Sequence, residues 1–314
     1  MSNHVEDDAA LCERLLGGED STDARAAYAR FLARRRPRRI AWGPIGVLAA
    51  AVVVVLLVVT PLGSVAQGFL TIFQPKTVAP IDLSSIGHAR LLPNLNAFGT
   101  LRGGSARFRI RMVDSLAAAS ALAHFHALTP ARLPSQLTRA PRAMVDIGER
   151  ESFTFSAEKT RASAAQKKRR LPAMPAELNG TTITVALGPT IAQTWKDADG
   201  KDGLVVVQSI APVVRSSGAS LRELETYLLS VPGVSPQLAA QIQAIGDPGS
   251  TLPVPFLANK QTAQQVTVDG SSGVAIGDNT GVGAGLVWEK DGKIYVVFGA
   301  LSQDQVRGVA DSLH

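Results

Sequence analysis

The sequence predicts an α+β fold: short N-terminal helices, one transmembrane helix, and an antiparallel sheet with packed helices that contains a duplicated hairpin–helix unit. Three observations predict it. A long uncharged apolar run follows an arginine cluster, two Trp-bearing strand–turn–strand segments carry Asp-Gly at the turn, and a capping-box signature follows each. The 314 residues, 46% of them hydrophobic, hold enough apolar material for a core, which excludes wholesale disorder. A single cysteine excludes intrachain disulfides and cysteine-rich metal sites.

Residues 1–39 read as a helical tail. Val5, Ala9, Cys12 and Leu16 fall on one helical face, which Gly17-Gly18 ends. Asp20–Asp23 offers N-cap residues for a second helix, on which Ala24, Ala27, Tyr28, Phe31 and Leu32 recur at helical spacing. Arginines fill its last turn and Pro37 follows. Isolated helices this short are marginal in water, so their apolar stripes need each other, the bilayer surface or a protein partner. Tyr28, Phe31 and Leu32 are therefore the candidate partner-binding face, and Cys12, with no second cysteine, reads as a packed thiol.

No charge occurs between Ile40 and Pro75. Taken as a helix, the 20 residues 40–59 would span about 30 Å, the thickness of a hydrocarbon core. Arg34, Arg35, Arg36, Arg38 and Arg39 stand just before the run, and the positive-inside rule places them in the cytoplasm. The expectation is a single pass through the bacterial inner membrane, N-terminus cytoplasmic and C-terminal domain extracytoplasmic. Residues 60–80 form a juxtamembrane segment, with Phe69, Leu70, Ile72 and Phe73 on the outer interface. Ser64-Val65-Ala66 also suits a signal peptidase, but a 39-residue n-region is longer than a whole ordinary signal peptide, which favours an uncleaved anchor. Of the formal +6 charge, residues 1–39 contribute +1 and the remainder +5. Outside the cytoplasm such a balance meets headgroups or wall polymers rather than a genome.

Residues 81–314 read as the extracytoplasmic α+β domain. IAQTWKDADGKDGLVVVQS, around Trp195, and AGLVWEKDGKIYVVFG, around Trp288, are each two strand-like runs joined at Asp199-Gly200 or Asp291-Gly292. Ser220 with Glu223, and Ser302 with Gln305, fit the capping box, and Leu301 and Val306 fit the hydrophobic staple. The economical reading is a duplication in which a helix packs across each hairpin. Upstream, Ala106–Val113 alternates like a half-exposed strand, and Leu116–Leu128 is Ala-rich and helical. Arg142–Phe155 supplies further strands, Ser156–Arg170 a basic helix, and Leu171–Asn179 an extended Pro-containing link.

The remaining motifs carry little chemistry. LLSVPGVSPQLAAQIQAI (Leu228–Ile245) is similar to a helix-hairpin-helix, but Ser235 replaces the second turn glycine and the motif occurs once, so nucleic acid is not an expected partner. Gly277, Gly281, Gly283 and Gly285 lead into a strand and lack the ending of a phosphate loop; they read as a loop or strand edge. His124 and His126 lie in a predicted helix, where i,i+2 side chains diverge, so no metal site is expected. No catalytic motif is present, and the expectation is a non-enzyme without cofactor.

Two stretches resemble a bacterial domain of unknown function found outside single-pass membrane proteins. SLAAASALAHFHALTPARLPSQL (Ser115–Leu137) resembles its "Ala…Phe…P-x-x-LP" block, and GLVWEKDGKIYVVFGALSQDQVRGVADSL (Gly285–Leu313) its closing block. The resemblance implies an anti-sigma-factor-like or envelope-stress regulator with a sigma factor as cytoplasmic partner. The usual anti-sigma zinc motif is absent, and 39 residues are few for a sigma-clamping domain. The expected function is thus a membrane-anchored regulatory or sensory protein that couples an outer domain to its tail. The alternative is a membrane-tethered binder of lipid or envelope polymer with no signalling role.

Overall fold

The computed structural model describes residues 69–84, 95–103, 110–138, 140–166, 170–232 and 234–314. In chain order they form β1 (Leu70–Phe73), β2 (Thr77–Asp82), a 3-10 turn (Leu95–Ala97), β3 (Gly99–Arg102), β4 (Arg111–Val113), α1 (Leu116–Ala123), β5 (Arg142–Asp146) and β6 (Glu149–Phe155). Then come α2 (Ala157–Gln166), β7 (Thr182–Leu187), β8 (Thr190–Lys196), β9 (Asp202–Ile210), β10 (Val213–Ser216), α3 (Leu221–Leu229) and α4 (Pro236–Gln243). The last elements are β11 (Thr251–Phe256), β12 (Gln261–Val268), β13 (Ser271–Asp278), β14 (Ala284–Lys290), β15 (Lys293–Gly299) and α5 (Gln303–Ala310).

Three sheets result. An eight-stranded sheet runs β12-β13-β14-β15-β9-β8-β5-β4, a five-stranded sheet runs β1-β10-β7-β6-β3, and β11 pairs with β2. All pairings are antiparallel except β2–β11. Val205, Val207, Ile294, Val296 and Phe298 of the large sheet share one core with Phe153, Ile183, Val185 and Val214 of the smaller one. The opposite face of the large sheet is covered by helices. Ala119 and Ala123 of α1 pack on Ala143, Val145 and Ile191, and Val306, Val309 and Ala310 of α5 pack on Leu286, Trp288, Tyr295 and Val297.

This architecture corrects the α+β membrane-protein expectation. Strand outweighs helix, 42% to 20%, among the described residues. The longest helix there, α2, has 10 residues, and no described helix is long and apolar enough to cross a membrane. That finding overturns the single-pass, inner-membrane localisation. The run 40–59 that motivated it, and both tail helices, lie outside the described residues. Apolar residues near it enter sheets: Leu70–Phe73 is a strand on β10, with Phe73 buried. The physical reason for the strand excess is visible in the helix caps. Each capping box starts only a two-turn helix, whereas the β-branched runs fill strands of six to nine residues.

The two Trp hairpins lie side by side. β9 and β15 are neighbours, with Val206 opposite Val297, Trp195 is opposite Leu204, and Trp288 is opposite Tyr295. A two-fold axis through the Val206–Val297 pair carries Leu204 to Tyr295 and hence Trp195 to Trp288. The strands outside them follow: β4-β5-β8-β9 and β15-β14-β13-β12 are two four-stranded antiparallel halves related by that axis, of which only the second, β12 to β15, is consecutive in the chain. The helices do not follow the sequence-based expectation. α5 covers its own hairpin, but α3 leaves the first one and buries Leu224 and Tyr227 in the core between the sheets, Tyr227 edge-on to Phe98. The helix on the first half is α1. A capping box fixes where a helix starts; it does not fix the sheet against which the helix packs.

The large and five-stranded sheets are also joined through their strands. Asp146 of β5 pairs with Thr190 of β8, and Glu149 of β6 pairs with Leu187 of β7. Both pairs obey the same offset, so β5–β6 and β7–β8 form one long antiparallel ribbon that leaves the eight-stranded sheet and enters the five-stranded one. The crease falls at Ile147-Gly148 on one strand and Gly188-Pro189 on the other. Gly148 has φ +77°, a left-handed conformation that glycine adopts without steric cost.

Candidate functional site

The loop after α1 is held down by two glutamines. Gln208 and Gln193 are fully buried on the helix-covered face. The Gln208 amide accepts from Leu128 N–H at 2.8 Å and donates to the Leu128 carbonyl at 2.7 Å, where Gln193 Nε2 also donates. Beyond Leu128 the chain pairs with the C-terminal residues: Pro130 bridges Leu313, and Thr129 and His314 exchange backbone hydrogen bonds. Leu128, Leu133 and Leu137 thereby join Trp195, Trp288, Tyr295, Val306 and Val309 in one cluster. Residues of the stretches Ser115–Leu137 and Gly285–Leu313 therefore meet in a single packed layer. Replacing Gln208 by Leu removes both hydrogen bonds and leaves the Leu128 N–H without its partner. A loss of about 1–3 kcal/mol in urea unfolding is expected, and an unchanged midpoint would show that the loop does not depend on the clamp.

The motifs singled out in the sequence are distributed as follows. Tyr28, Phe31 and Leu32, together with Cys12, lie outside the described residues. His124 takes a left-handed conformation (φ +57°) as the C-cap of α1, so the helix ends before His126. Among the described residues no group of three or more His, Cys, Asp or Glu is placed to hold a metal ion. The Leu228–Ile245 motif comprises the end of α3, a connection and α4, in which Ser235 caps and Pro236 takes the first helical position. α4 turns Leu238 and Ile242 onto Ile81 and Leu83, and Gln241 clamps the backbone of Asp82. The glycine run forms the β13–β14 connection around Asp278, whose carboxylate accepts from the N–H groups of Thr280 and Val282. Burial opposes ionisation there, but hydrogen bonds from Thr280, Gly283 and Val282 outweigh it and hold that carboxyl below its usual range.

The structure builds one further locale that sequence reasoning missed, at the β4–β5 edge and the crease. Met144 of β5 and Met112 of β4 are directly opposite each other, on the side of the sheet that faces the five-stranded layer. Met112 is 60% exposed and Ile110 is also exposed, so the edge offers a small apolar shelf. Asp146, on the same side of β5, is 9% exposed; its Oδ1 accepts from Gly148 N–H at 2.8 Å, and its Oδ2 is buried without a partner. Across the crease Glu151 stands in line with Phe153 and Phe155 on the core side of β6, 8% exposed. Burial pushes its carboxyl above the ordinary glutamate range, and the like charge of Glu149 adds to the shift. The alternation Glu149, Glu151, Phe153, Phe155 was the available signal: a period of two that runs from acidic to aromatic on one face.

Neither a family model nor a curated protein matches this chain.

Proposed function

We propose that the chain is a non-enzymatic regulatory protein of the anti-sigma type, with its β-rich part as the sensing module. In this reading the face formed by Tyr28, Phe31 and Leu32 captures the sigma factor. The observation that carries it is the convergence of Ser115–Leu137 and Gly285–Leu313, more than a hundred residues apart, in one layer. The loop after α1 and α5, one from each of these stretches, pack in that layer, which supports reading the two stretches as parts of one module. The buried glutamines in this layer hold backbone in place, which supports a binding role over a chemical one.

The test is pairwise capture of extracytoplasmic-function sigma factors by the full-length chain. Burying a large apolar side chain is worth about 1.5–3 kcal/mol, so Phe31→Ser together with Leu32→Ser should weaken capture at least about tenfold. The thermal transition of the β-rich part should be unchanged. Undiminished capture by the double variant, or no sigma factor captured by the unmodified chain, would overturn the proposal.

A further inference from the structure

We propose that the outer edge of β12 is a self-association surface: a second copy of this chain adds its own β12 antiparallel to it, Gln264 opposite Gln264, and the two eight-stranded sheets become one. This inference is independent of the regulatory reading, because it concerns only the free edge of the large sheet.

β12 stands at the end of that sheet, and among the described residues no strand pairs with its outer side. An open strand edge is a template for another chain, and folded proteins ordinarily blunt it with brevity, charge, proline or a bulge. The other edges carry such devices. β4 has three residues including Arg111, β3 has four including Arg102, and β1 has four with a break in register. β2 holds Pro80, and β11 holds Pro253 and Pro255. β12 has none of these: its eight residues, QTAQQVTV, contain neither charge nor proline and pair with β13 without a register shift. Thr262, Gln264, Gln265 and Thr267 are exposed. The Gln265 side chain is bound to the Val78 carbonyl on the inner face, which leaves the edge clear.

The free groups of this edge fit a copy of themselves. Val268 and Ser271 close the Asp269-Gly270 turn as a hydrogen-bonded pair, which directs the backbone groups of Val268, Val266, Gln264 and Thr262 towards β13. Those of Gln261, Ala263, Gln265 and Thr267 point outward. Two of them are already engaged: Gln261 N–H donates to the Leu257 carbonyl, and the Thr267 carbonyl accepts from Arg307. There remain the N–H groups of Ala263, Gln265 and Thr267 and the carbonyls of Gln261, Ala263 and Gln265. A two-fold axis at Gln264 sets Ala263 of one copy opposite Gln265 of the other, and Gln261 opposite Thr267. Every remaining donor then meets a remaining acceptor. The bond this register forgoes, Gln261 N–H to the Thr267 carbonyl, would join the two groups already satisfied within each copy. The flanking charges agree. Lys260 and Asp269 are exposed at opposite ends of the strand, and Asp269 also pairs with Lys290. Antiparallel addition brings Lys260 of each copy beside Asp269 of the other, whereas parallel addition would set lysine against lysine.

The experiment is sedimentation velocity of the full chain over a range of concentration. A closed dimer is expected for the natural sequence. Ala263→Pro deletes an outward N–H that makes no bond to β13 and should abolish the dimer. Gln264→Lys and Gln264→Glu each put like charges opposite one another at the axis and should weaken it about fivefold, and mixing the two variants should restore it. A monomeric natural chain, an open-ended series of larger species, or a dimer indifferent to these changes would overturn the proposal. Should Ala263→Pro fail to fold, the Gln264 variants decide: restoration on mixing requires that residue to face its own copy, and a mixture no tighter than either variant alone rejects the register.

Discussion

Trp288→Ala is expected to cost about 3–5 kcal/mol of folding stability, the range for removing a buried aromatic side chain and leaving a cavity. The ring is 3% exposed and stacks on Tyr295 with centroids 5.2 Å apart and planes 14° from parallel. It lies beneath α5, whose Val306 and Val309 close over the same cluster. Removal therefore opens an indole-sized cavity in the layer where both stretches meet. Urea or guanidinium unfolding measures the loss. A decrease below about 1 kcal/mol would mean that the ring contributes as a surface residue does, and would undo the equivalence of the two Trp positions.

Gly148→Ala is expected to be nearly as damaging, about 2–4 kcal/mol, through backbone rather than core. Two penalties act at once. At φ +77° an L-residue meets its own carbonyl, and the added Cβ would lie well inside 3.0 Å of the Leu187 carbonyl oxygen, a backbone atom that cannot step aside. The partner strand is equally tight, since a Cβ on Gly188 would run into Ile210. Thermal unfolding of Gly148→Ala checks this; a melting temperature within about 2 °C of the natural protein would mean that the crease is loose.

Much of the strand pattern was legible because its signals are local. Asp291-Gly292 takes positive φ at both residues and Lys290 pairs with Lys293, as a two-residue type I′ hairpin requires. Asp269-Gly270, not read in the sequence, has the same geometry between β12 and β13, whereas at Asp199-Gly200 only the glycine takes positive φ. Both capping boxes form. What was not legible depends on partners distant in sequence. α1 ends at Ala123, not Leu128, because Gln208 takes Leu128 into a backbone-like clamp 80 residues away. α3 packs between sheets because Phe98 and Tyr227 meet there, and nothing within the helix announces that. Hydropathy at 40–59 spoke loudest in the sequence, yet it bears on none of the described residues. The Glu149–Phe155 alternation has the pattern of an ordinary half-exposed strand; that Glu151 is mostly buried emerges only when the strand takes its place between β3 and β7.

The ribbon shared by the sheets has a consequence for how the molecule comes apart. Strands that belong to both layers deny either layer an independent melting event. Pulling β6 and β7 from the small sheet drags β5 and β8 out of register in the large one. A single sharp transition, the same by tryptophan fluorescence and by far-ultraviolet dichroism, is the thermodynamic signature of such splicing. Slow amide exchange on the two sides of the crease should then report one common opening free energy, and a load applied to one layer is borne by the other.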